Sequence, residues 1–433
     1  MNKNVCWIWL SLAVTPGSET FRKLIENFGS AEAIYDADED ALRSCIGSKS
    51  RDFEALCSKD TAKAEEIADF CEKKNVGILT YVDESFPKAL RDIDAPPVLL
   101  YYRGVLPDFN SECLVAVVGT RRLSDYGRRN AFIIGHDLAT AGAVVVSGMA
   151  IGIDGVSHAG SLSANGINVA FLGSGIDVCY PEQHKRLARE IVKTGCVMTE
   201  YAPGTRPEGY NFPVRNRLIA GISSVAVVIE GRERSGAIIT ARYAKKFGKT
   251  VYALPGNVDN KTSEVTNLLI KNGAKLITSP DDIISDLEFV YLGKINPFKL
   301  KDKLDVNMND VFKELEICCV TPSDDIFSTY PKKKKEKKAE KSEKADKQLK
   351  TEKQEQNTRS EEVLDPIVSI ENMNFDKNTL AIYKKIPTAS ACSLDSLADS
   401  ETPMSVVMKA LFKLEMGKFI TMLPGEMVKR NLN

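Results

Sequence analysis

Short apolar runs, each followed by a polar loop that contains glycine, occur four times along the middle of the chain. They lie at 115–127 (VAVVGTRRLSDYG), 144–154 (VVVSGMAIGID), 169–177 (VAFLGSGID) and 225–236 (VAVVIEGRERSG). A continuous apolar run bounded by such a loop is typical of a strand that is buried on both faces of a parallel sheet. A helix is expected after each loop, with Ser124 or Asp125 as the N-cap of the first. The pattern predicts an α/β fold with a doubly wound parallel sheet.

The loops after these strands are expected to converge. The carboxyl ends of parallel strands meet at one edge of a sheet, where helix N-termini and free backbone N–H groups make an anion site. The first loop reads Gly119-Thr120-Arg121-Arg122, which is neither G-x-G-x-x-G nor G-x-x-x-x-G-K-[ST]. A backbone N–H, a hydroxyl and a guanidinium suit a phosphate of a polymer, because arginine can hold it bidentately without a metal. The alternative is that both arginines are solvated loop cations.

The candidate site for a phosphate polymer such as a nucleic acid combines the glycines, hydroxyls and cations of this edge. Its residues are Gly119, Thr120, Arg121, Arg122, Ser147, Gly148, Gly173, Ser174, Lys185, Arg186, Arg215, Arg217, Arg234, Ser235 and Gly236. Binding of single strands without sequence preference needs such a cationic groove together with a surface for the bases. The nearest aromatic residues are Tyr180, Tyr210 and Phe212, which either stack on bases or pack in the protein.

Two of these cations have an alternative structural role. Arg215 and Arg217 open a predicted helix, and one of them is alternatively expected to pair with Asp154 or Glu230 to hold loops together.

Composition restricts the kind of site. Among 433 residues, 58 lysines and arginines face 59 aspartates and glutamates, so a nucleic-acid site must be a local patch. The ten cysteines form no C-x-x-C pair and are expected to be reduced core residues of a cytoplasmic protein. The apolar run at 5–14 lacks a small-x-small cleavage site and is too short to span a bilayer, so a buried first helix is favoured over a signal peptide.

Four segments are expected along the chain. Residues 1–75 predict a small helical domain of helix-hairpin-helix (SAM-like) outline, whose Pro16-Gly17 hairpin either touches DNA or is purely structural. Residues 76–290 form the sheet domain with its lead-in strands. Residues 291–374 are a linker, rich in lysine and glutamate and disordered from about 331. Residues 375–433 predict three short helices and a hairpin near Leu423, which is a winged helix that binds either protein or DNA.

With these residues placed, the stretch 77–282 resembles the bacterial DNA-processing protein A family (DprA, also called Smf). The motifs that carry the resemblance are VAVVGTRR, SGMAIGID with HAG, LGSGIDVCYPEQHKRL, TEYAPGTRP, NFPVRNRLIAGIS, RSGAIITARYA, VYALPGNVDN and TNLLIKNGAKLI. The C-terminal LEMGKFITMLPGEMVKR is similar to the end of that family's winged helix.

The resemblance implies a recombination mediator rather than an enzyme. Such a protein binds incoming single-stranded DNA, protects it and hands it to the RecA recombinase during natural transformation. Its extended Rossmann-like domain is the DNA-binding and self-association unit, which implies a homodimer, and it needs no nucleotide cofactor or metal. The family's Gly-Ser/Thr-Arg phosphate motif corresponds to Gly119, Thr120 and Arg121.

Three other functions are weighed against this one. Nucleotide-cleaving phosphoribohydrolases carry P-G-G-x-G-T-x-x-E, but the corresponding stretch at 234–240 has no glutamate at its end. A dehydrogenase or nucleotide-sensing module is disfavoured because G-x-G-x-x-G is missing. His158 and His184 have no paired nucleophile that would make a catalytic set. A pure interaction scaffold fits phosphate-type loops without catalytic residues, and a DNA-binding assay separates it from the mediator.

Overall fold

The computed structural model describes residues 3–232, 235–301 and 306–317, and then 377–387, 392–397, 402, 406–407, 410–411, 414, 420–423 and 427–430. The chain forms two compact units, at 1–331 and 332–433. The glycine-rich loops all belong to the first unit.

A nine-stranded sheet is the centre of the first unit. Its strands are β1 (Gly77–Thr80), β2 (Leu99–Gly104), β3 (Leu114–Val118), β4 (Val144–Ser147), β5 (Asn168–Phe171), β6 (Cys196–Thr199), β7 (Val225–Val228), β8 (Thr250–Ala253) and β9 (Lys275–Leu276). Their order is β1-β2-β6-β5-β4-β3-β7-β8-β9. All neighbours from β6 to β9 pair in parallel, whereas β1 with β2 and β2 with β6 are antiparallel. The four predicted strands are β3, β4, β5 and β7, and the order reverses at β3.

Helices cover both faces of this sheet. They are α1 (Lys3–Ala13), α2 (Thr20–Phe28), α3 (Ala31–Asp36), α4 (Glu39–Ile46), α5 (Phe53–Ser58), α6 (Ala62–Lys73), α7 (Lys88–Arg91), α8 (Asp125–Thr140), α9 (Ile153–Ser163), α10 (Lys185–Thr194), α11 (Asn211–Ile222), α12 (Gly236–Lys246), α13 (Glu264–Lys271), α14 (Asp281–Glu288) and α15 (Met308–Leu315). Strand β3 shows the two faces: Val115 and Val117 belong to the core under α8 and α9, and Ala116 and Val118 to the core under α11 and α12. Alternate side chains of a strand point to opposite faces, which explains its continuous apolar sequence.

The N-terminal helices join the same unit as the sheet. Helix α1 is the buried first helix that the sequence predicts, with Trp7 and Leu10 fully enclosed. The following turn has Gly17 at φ +80°, where a Cβ atom would lie 2.8 Å from Cγ1 of Val214 on α11. The hairpin therefore packs against the sheet domain, which favours its structural role over contact with DNA.

The folded region continues into the stretch expected to be a linker. Helix α15 packs on α9. The ring of its Phe312 also meets the ring of Phe132 on α8 edge to face, with 5.6 Å between the ring centroids. The boundary predicted at 290 is therefore too early, because an apolar helix face follows it. The lysine-rich stretch lies in 318–376, outside the described residues.

The second unit contains helix α16 (Lys377–Lys385) and a small antiparallel sheet in the order β10-β12-β11. Its strands are β10 (Cys392–Ser393), β11 (Ile420–Leu423) and β12 (Met427–Arg430). The pairing of β11 with β12 confirms the predicted hairpin. Most of the predicted helix at 403–414 lies outside the described residues, so the winged helix stays a prediction.

In the described part of the chain, no helix has the length and apolar character needed to cross a membrane. The described cysteines are free thiols. Cys6, Cys71, Cys113 and Cys196 are buried in the core as predicted, whereas Cys45, Cys57, Cys179 and Cys392 are only half-buried.

A buried ion pair fixes α11 against its surroundings. Arg217 donates from Nη1 and Nη2 to the two carboxylate oxygens of Glu200 at 2.7 and 2.6 Å, and from Nε to the carbonyl of Ala95 at 3.0 Å. Both charged side chains are enclosed. Arg217 was a predicted DNA contact, and its alternative partners were Asp154 and Glu230; the structure instead pairs it with Glu200. The enclosed guanidinium of Arg217 therefore has a structural role.

Substitution of Arg217 should destabilise the folded protein. Arg217→Met leaves the Glu200 carboxylate buried without its partner, and we expect the free energy of unfolding to fall by about 3–5 kcal/mol in urea denaturation. The matched control is Arg43→Met, because Arg43 pairs with Glu39 and Asp40 at the surface and should cost less than about 1 kcal/mol. Adding Glu200→Leu to Arg217→Met should restore much of the loss. Equal costs for the two single variants would contradict a structural role for Arg217.

The buried histidine of α9 makes stability depend on pH. His158 Nδ1 lies 2.8 Å from Oδ1 of Asn168, and burial lowers the pKa of His158 from 6.5 to about 4. As the pH falls through this range the unfolded chain takes up a proton that the folded chain does not, so acid favours unfolding. We expect this group alone to lower the free energy of unfolding by about 1.4 kcal/mol per pH unit.

Urea denaturation near pH 7 and pH 5 measures the effect. His158→Gln removes the titrating ring, so the variant should lose less stability than the wild type between these conditions. Part of the dependence should remain, because burial also lowers the pKa of His184. The same loss in variant and wild type would show that His158 does not cause it.

Candidate nucleic-acid interface

The loops that follow β3, β4 and β5 enclose a groove of about 500 Å³ at the carboxyl edge of the sheet. We call it the edge groove. Its lining is Arg121, Gly148, Ala150, Ile151, 177–183, Lys185, Pro207 and Phe212. The groove thus lies beside the point where the strand order reverses, which is where open α/β sheets bind ligands.

The first loop turns Arg121 into this groove. The N–H of Thr120 donates to the carbonyl of Glu230 at 2.9 Å, and its Oγ1 accepts from the N–H of Arg122 at 3.1 Å. A Cβ atom at Gly119 would lie 2.4 Å from the side chain of Ile153, so this glycine allows α9 to approach. Gly119 and Thr120 therefore shape the loop, and Arg121 is its residue in the groove.

An aromatic ring supports this arginine. The guanidinium carbon of Arg121 lies 5.1 Å from the ring centroid of Phe212, within the range of a cation–π contact. The ring of Tyr180 is 5.5 Å away from that of Phe212. A Cβ atom at Gly173 would lie 2.8 Å from Cδ1 of Phe212, so a glycine is required there. Phe212 therefore packs against the protein and also lines the groove. By contrast, the third predicted aromatic residue, Tyr210, is 72% exposed.

Arg215 lies beneath the groove. Its Nη1 donates to the carbonyls of Gly148, at 3.1 Å, and Phe171. The N–H of Gly148 donates to Oδ2 of Asp154 at 3.1 Å. Burial lowers the pKa of Arg215 to about 10, so it remains a cation at neutral pH. Burial also raises the pKa of Asp154, and the fields of Arg215 and Arg121 oppose that rise. Arg215 thus acts through the loops that it holds.

The predicted serines also hold loops. The hydroxyl of Ser147 donates to the carbonyl of Val117 at 2.6 Å, and that of Ser174 to the carbonyl of Val178 at 2.8 Å. Both serines are buried. Their hydroxyls are therefore used inside the protein and leave ligand contact to other groups.

The cations after β5 lie at the surface. Lys185 lines the edge groove and forms a surface ion pair with Glu182 at 2.7 Å. Arg186 is also exposed, with its Nη1 3.7 Å from a carboxylate oxygen of Glu316, and it does not line the edge groove. Of these two predicted residues, the structure brings Lys185 together with Arg121.

The fourth loop contributes less than predicted. Arg234 lies outside the described residues, and Ser235 is the N-cap residue of α12. The carbonyl of Gly236 accepts from Nδ2 of Asn216 at 3.2 Å, which ties α12 to α11. Glu230, at the end of β7, accepts from the hydroxyls of Ser124 and Thr262. This loop therefore braces the start of α8, whose predicted N-cap, Ser124, is confirmed.

Asp177 is a lining residue that the sequence reasoning did not select. Its Oδ1 accepts from the N–H of Gly204 at 2.8 Å and so joins the loops that follow β5 and β6. Its position after Gly175 in GSGID was the available signal, because an acid in such a loop is suited to cap a neighbouring N–H.

The chain is similar to proteins that process DNA. The family model described as DNA recombination-mediator protein A matches residues 77–288. Protein Smf of Synechocystis sp. is 34% identical over 285 residues, which cover 65% of this chain and 72% of that protein. DNA processing protein DprA of Streptococcus pneumoniae is 39% identical over 208 residues, 48% of this chain and 73% of the relative.

The fold agrees with the sequence similarity. The X-ray structure of DNA processing protein A from Streptococcus pneumoniae superimposes with a TM-score of 0.57 at 31% identity, and covers 66% of this chain and 98% of that one. The region matched by the family model, 77–288, contains the sheet and the loops of the edge groove. This chain belongs to the DNA recombination-mediator protein A family, the family of DprA and Smf.

Proposed function

We propose that this protein binds single-stranded DNA, without sequence preference, in the edge groove. The observation that carries the proposal is the pair formed by Arg121 and Phe212, with Lys185 on the same groove. A guanidinium and an ammonium attract the phosphates, while the rings of Phe212 and Tyr180 offer apolar faces to the bases. This combination is what sequence-independent binding of a single strand uses.

The aromatic lining of the edge groove favours a single strand over a duplex. The bases of a duplex are stacked on each other, so an aromatic side chain in a groove can stack only on the bases of a strand that is unpaired.

The chain carries a net charge of −1 and therefore has no general basic field to attract DNA. Binding then depends on the few cations of the groove.

The alternative is hydrolysis of nucleotides, as in the phosphoribohydrolases. Two buried carboxylates lie near the edge, those of Asp154 and Glu230. Asp154 accepts from Gly148, and Glu230 accepts from Ser124 and Thr262. A carboxylate that is committed to protein donors is poorly placed to activate a glycosidic bond, so the geometry favours binding over cleavage.

Membership of this family supports a role in recombination for the bound strand. Because the matching family model is described as a recombination mediator, we infer that the protein protects single-stranded DNA and transfers it to the RecA recombinase during DNA uptake. We further propose that it works in the cytoplasm as a homodimer formed through the Rossmann-like domain.

Arg121→Ala tests the proposed site. The variant removes one phosphate contact, so affinity for single strands should fall for every sequence. The slope of log affinity against log salt should become shallower by about 0.7. The measurement is a salt titration of binding to single-stranded and double-stranded oligonucleotides of mixed sequence.

The control for this variant is Arg43→Ala, which removes the same charge from the surface of α4, away from the groove. It should keep the wild-type affinity and slope. A folded Arg121→Ala protein with unchanged affinity and slope would remove Arg121 from the site. If the wild type binds no DNA even at low salt, the proposed function fails and hydrolysis of nucleoside monophosphates becomes the next assay.

Deletion of 332–433 tests whether the first unit is sufficient. The edge groove is formed within that unit, so the shortened chain should retain the affinity and the salt dependence of the whole protein. A large loss of affinity would place the main site in the deleted part of the chain.

A further inference from the structure

A second groove adjoins the edge groove. It has a volume of about 510 Å³ and lies between the end of α6, strand β2 and helix α10. We call it the side groove. Its floor is apolar and includes Phe70, Leu172 and Val192. Helix α6 belongs to the N-terminal helical region, which precedes the sheet in the chain.

Cations dominate the rim of the side groove. Lys74, Arg103, Lys185 and Arg189 line it. Lys74, Arg103 and Arg189 form no ion pair with any residue that the structure describes. Asp177 is an acid on this lining, and its Oδ1 already accepts from Gly204. The groove therefore carries an excess of positive charge that the protein does not neutralise.

Arg103 is held in an unusual position for a surface cation. Its Nε is buried and has no hydrogen-bond partner among the described residues. An unpaired buried N–H is unfavourable unless a ligand or water accepts from it. A phosphate in the groove offers oxygen acceptors to this arginine, which binds such groups through several N–H donors.

The two grooves share part of their lining. Asp177, Cys179 and Lys185 line both of them. A chain of nucleotides that follows the edge groove past Lys185 thus enters a surface with the same chemistry: cations for phosphates above an apolar floor for bases. A neutral or basic partner would not use these three cations, which form no ion pair within the described part of the chain.

We propose that the single strand continues from the edge groove into the side groove, so that the N-terminal helical region binds DNA through Lys74 at the end of α6. This inference rests on the function proposed above and extends its site. The element that contacts DNA is then the end of α6, whereas the Pro16-Gly17 hairpin packs against α11.

The test compares two double variants of the full-length protein. Lys74→Gln with Arg189→Gln removes two cations of the side groove. Lys73→Gln with Lys193→Gln removes the same charge from the same two helices, but these lysines lie outside the groove, next to Asp69 and Glu190. Each protein is titrated with oligothymidylates of about 4 and about 16 nucleotides, the range of lengths that single-strand-binding domains cover.

The longer oligonucleotide should bind the Lys74/Arg189 variant about tenfold more weakly than the wild type at low salt, with a salt slope that is shallower by about 1.4. The short oligonucleotide, which fits in the edge groove, should bind both proteins alike. The Lys73/Lys193 variant should match the wild type for both lengths.

The possible failures are distinguishable. If the wild type binds both lengths and Arg121→Ala weakens both, but the Lys74/Arg189 variant binds the longer strand like the wild type, the side groove is not part of the path. An equal loss in the Lys73/Lys193 variant would mean a non-specific effect of charge and would also overturn the inference. If the wild type binds neither length even at low salt, the proposed function itself fails.

Discussion

A buried guanidinium beneath the edge groove holds together the loops of the proposed binding site. Arg215 donates to the carbonyls of Gly148 and Phe171, which follow or end neighbouring strands, and Asp154 accepts from Gly148. A buried charge is tolerated only where it has partners. Displacement of either loop would take one acceptor away from the buried Arg215, so both loops are held in place without a ligand. A preformed groove lowers the ordering cost of binding.

The cations of this region therefore divide into two groups. Inside the protein, Arg215 donates to backbone carbonyls and Arg217 pairs with Glu200. Arg121 and Lys185, by contrast, line the edge groove. The glycines follow the same division. Those at 119, 148 and 173 are required because a neighbouring side chain occupies the place of their Cβ atoms. What looks in sequence like a row of phosphate-binding glycines is mainly a condition for close packing.

The sequence predicted the strands and the edge of the site, because both follow from local pattern: apolar runs that end in glycine, and parallel strands whose carboxyl ends coincide. The sequence pattern did not show which of the predicted arginines and lysines are exposed and which are buried. Arg217 has its partner 17 positions away in Glu200, and only the packing of α11 against the end of β6 brings them together. The merging of the N-terminal helices with the sheet domain and the position of α15 were likewise missed, because they depend on contacts between distant segments.

The same long-range packing gives the N-terminal helices a defined place beside the sheet. Arg22 on α2 donates from Nη2 to the carbonyls of Arg91 and Ile93 at 2.7 and 2.5 Å, and the turn at Gly17 rests on Val214. Helix α6 packs on α1, and its Ile67 and Cys71 share one hydrophobic core with Leu187 and Ile191 of α10. This shared core sets the end of α6 next to α10. A cation on a docked helix needs little ordering to meet a phosphate, so a helical region anchored for structural reasons is well suited to lengthen a DNA-binding surface.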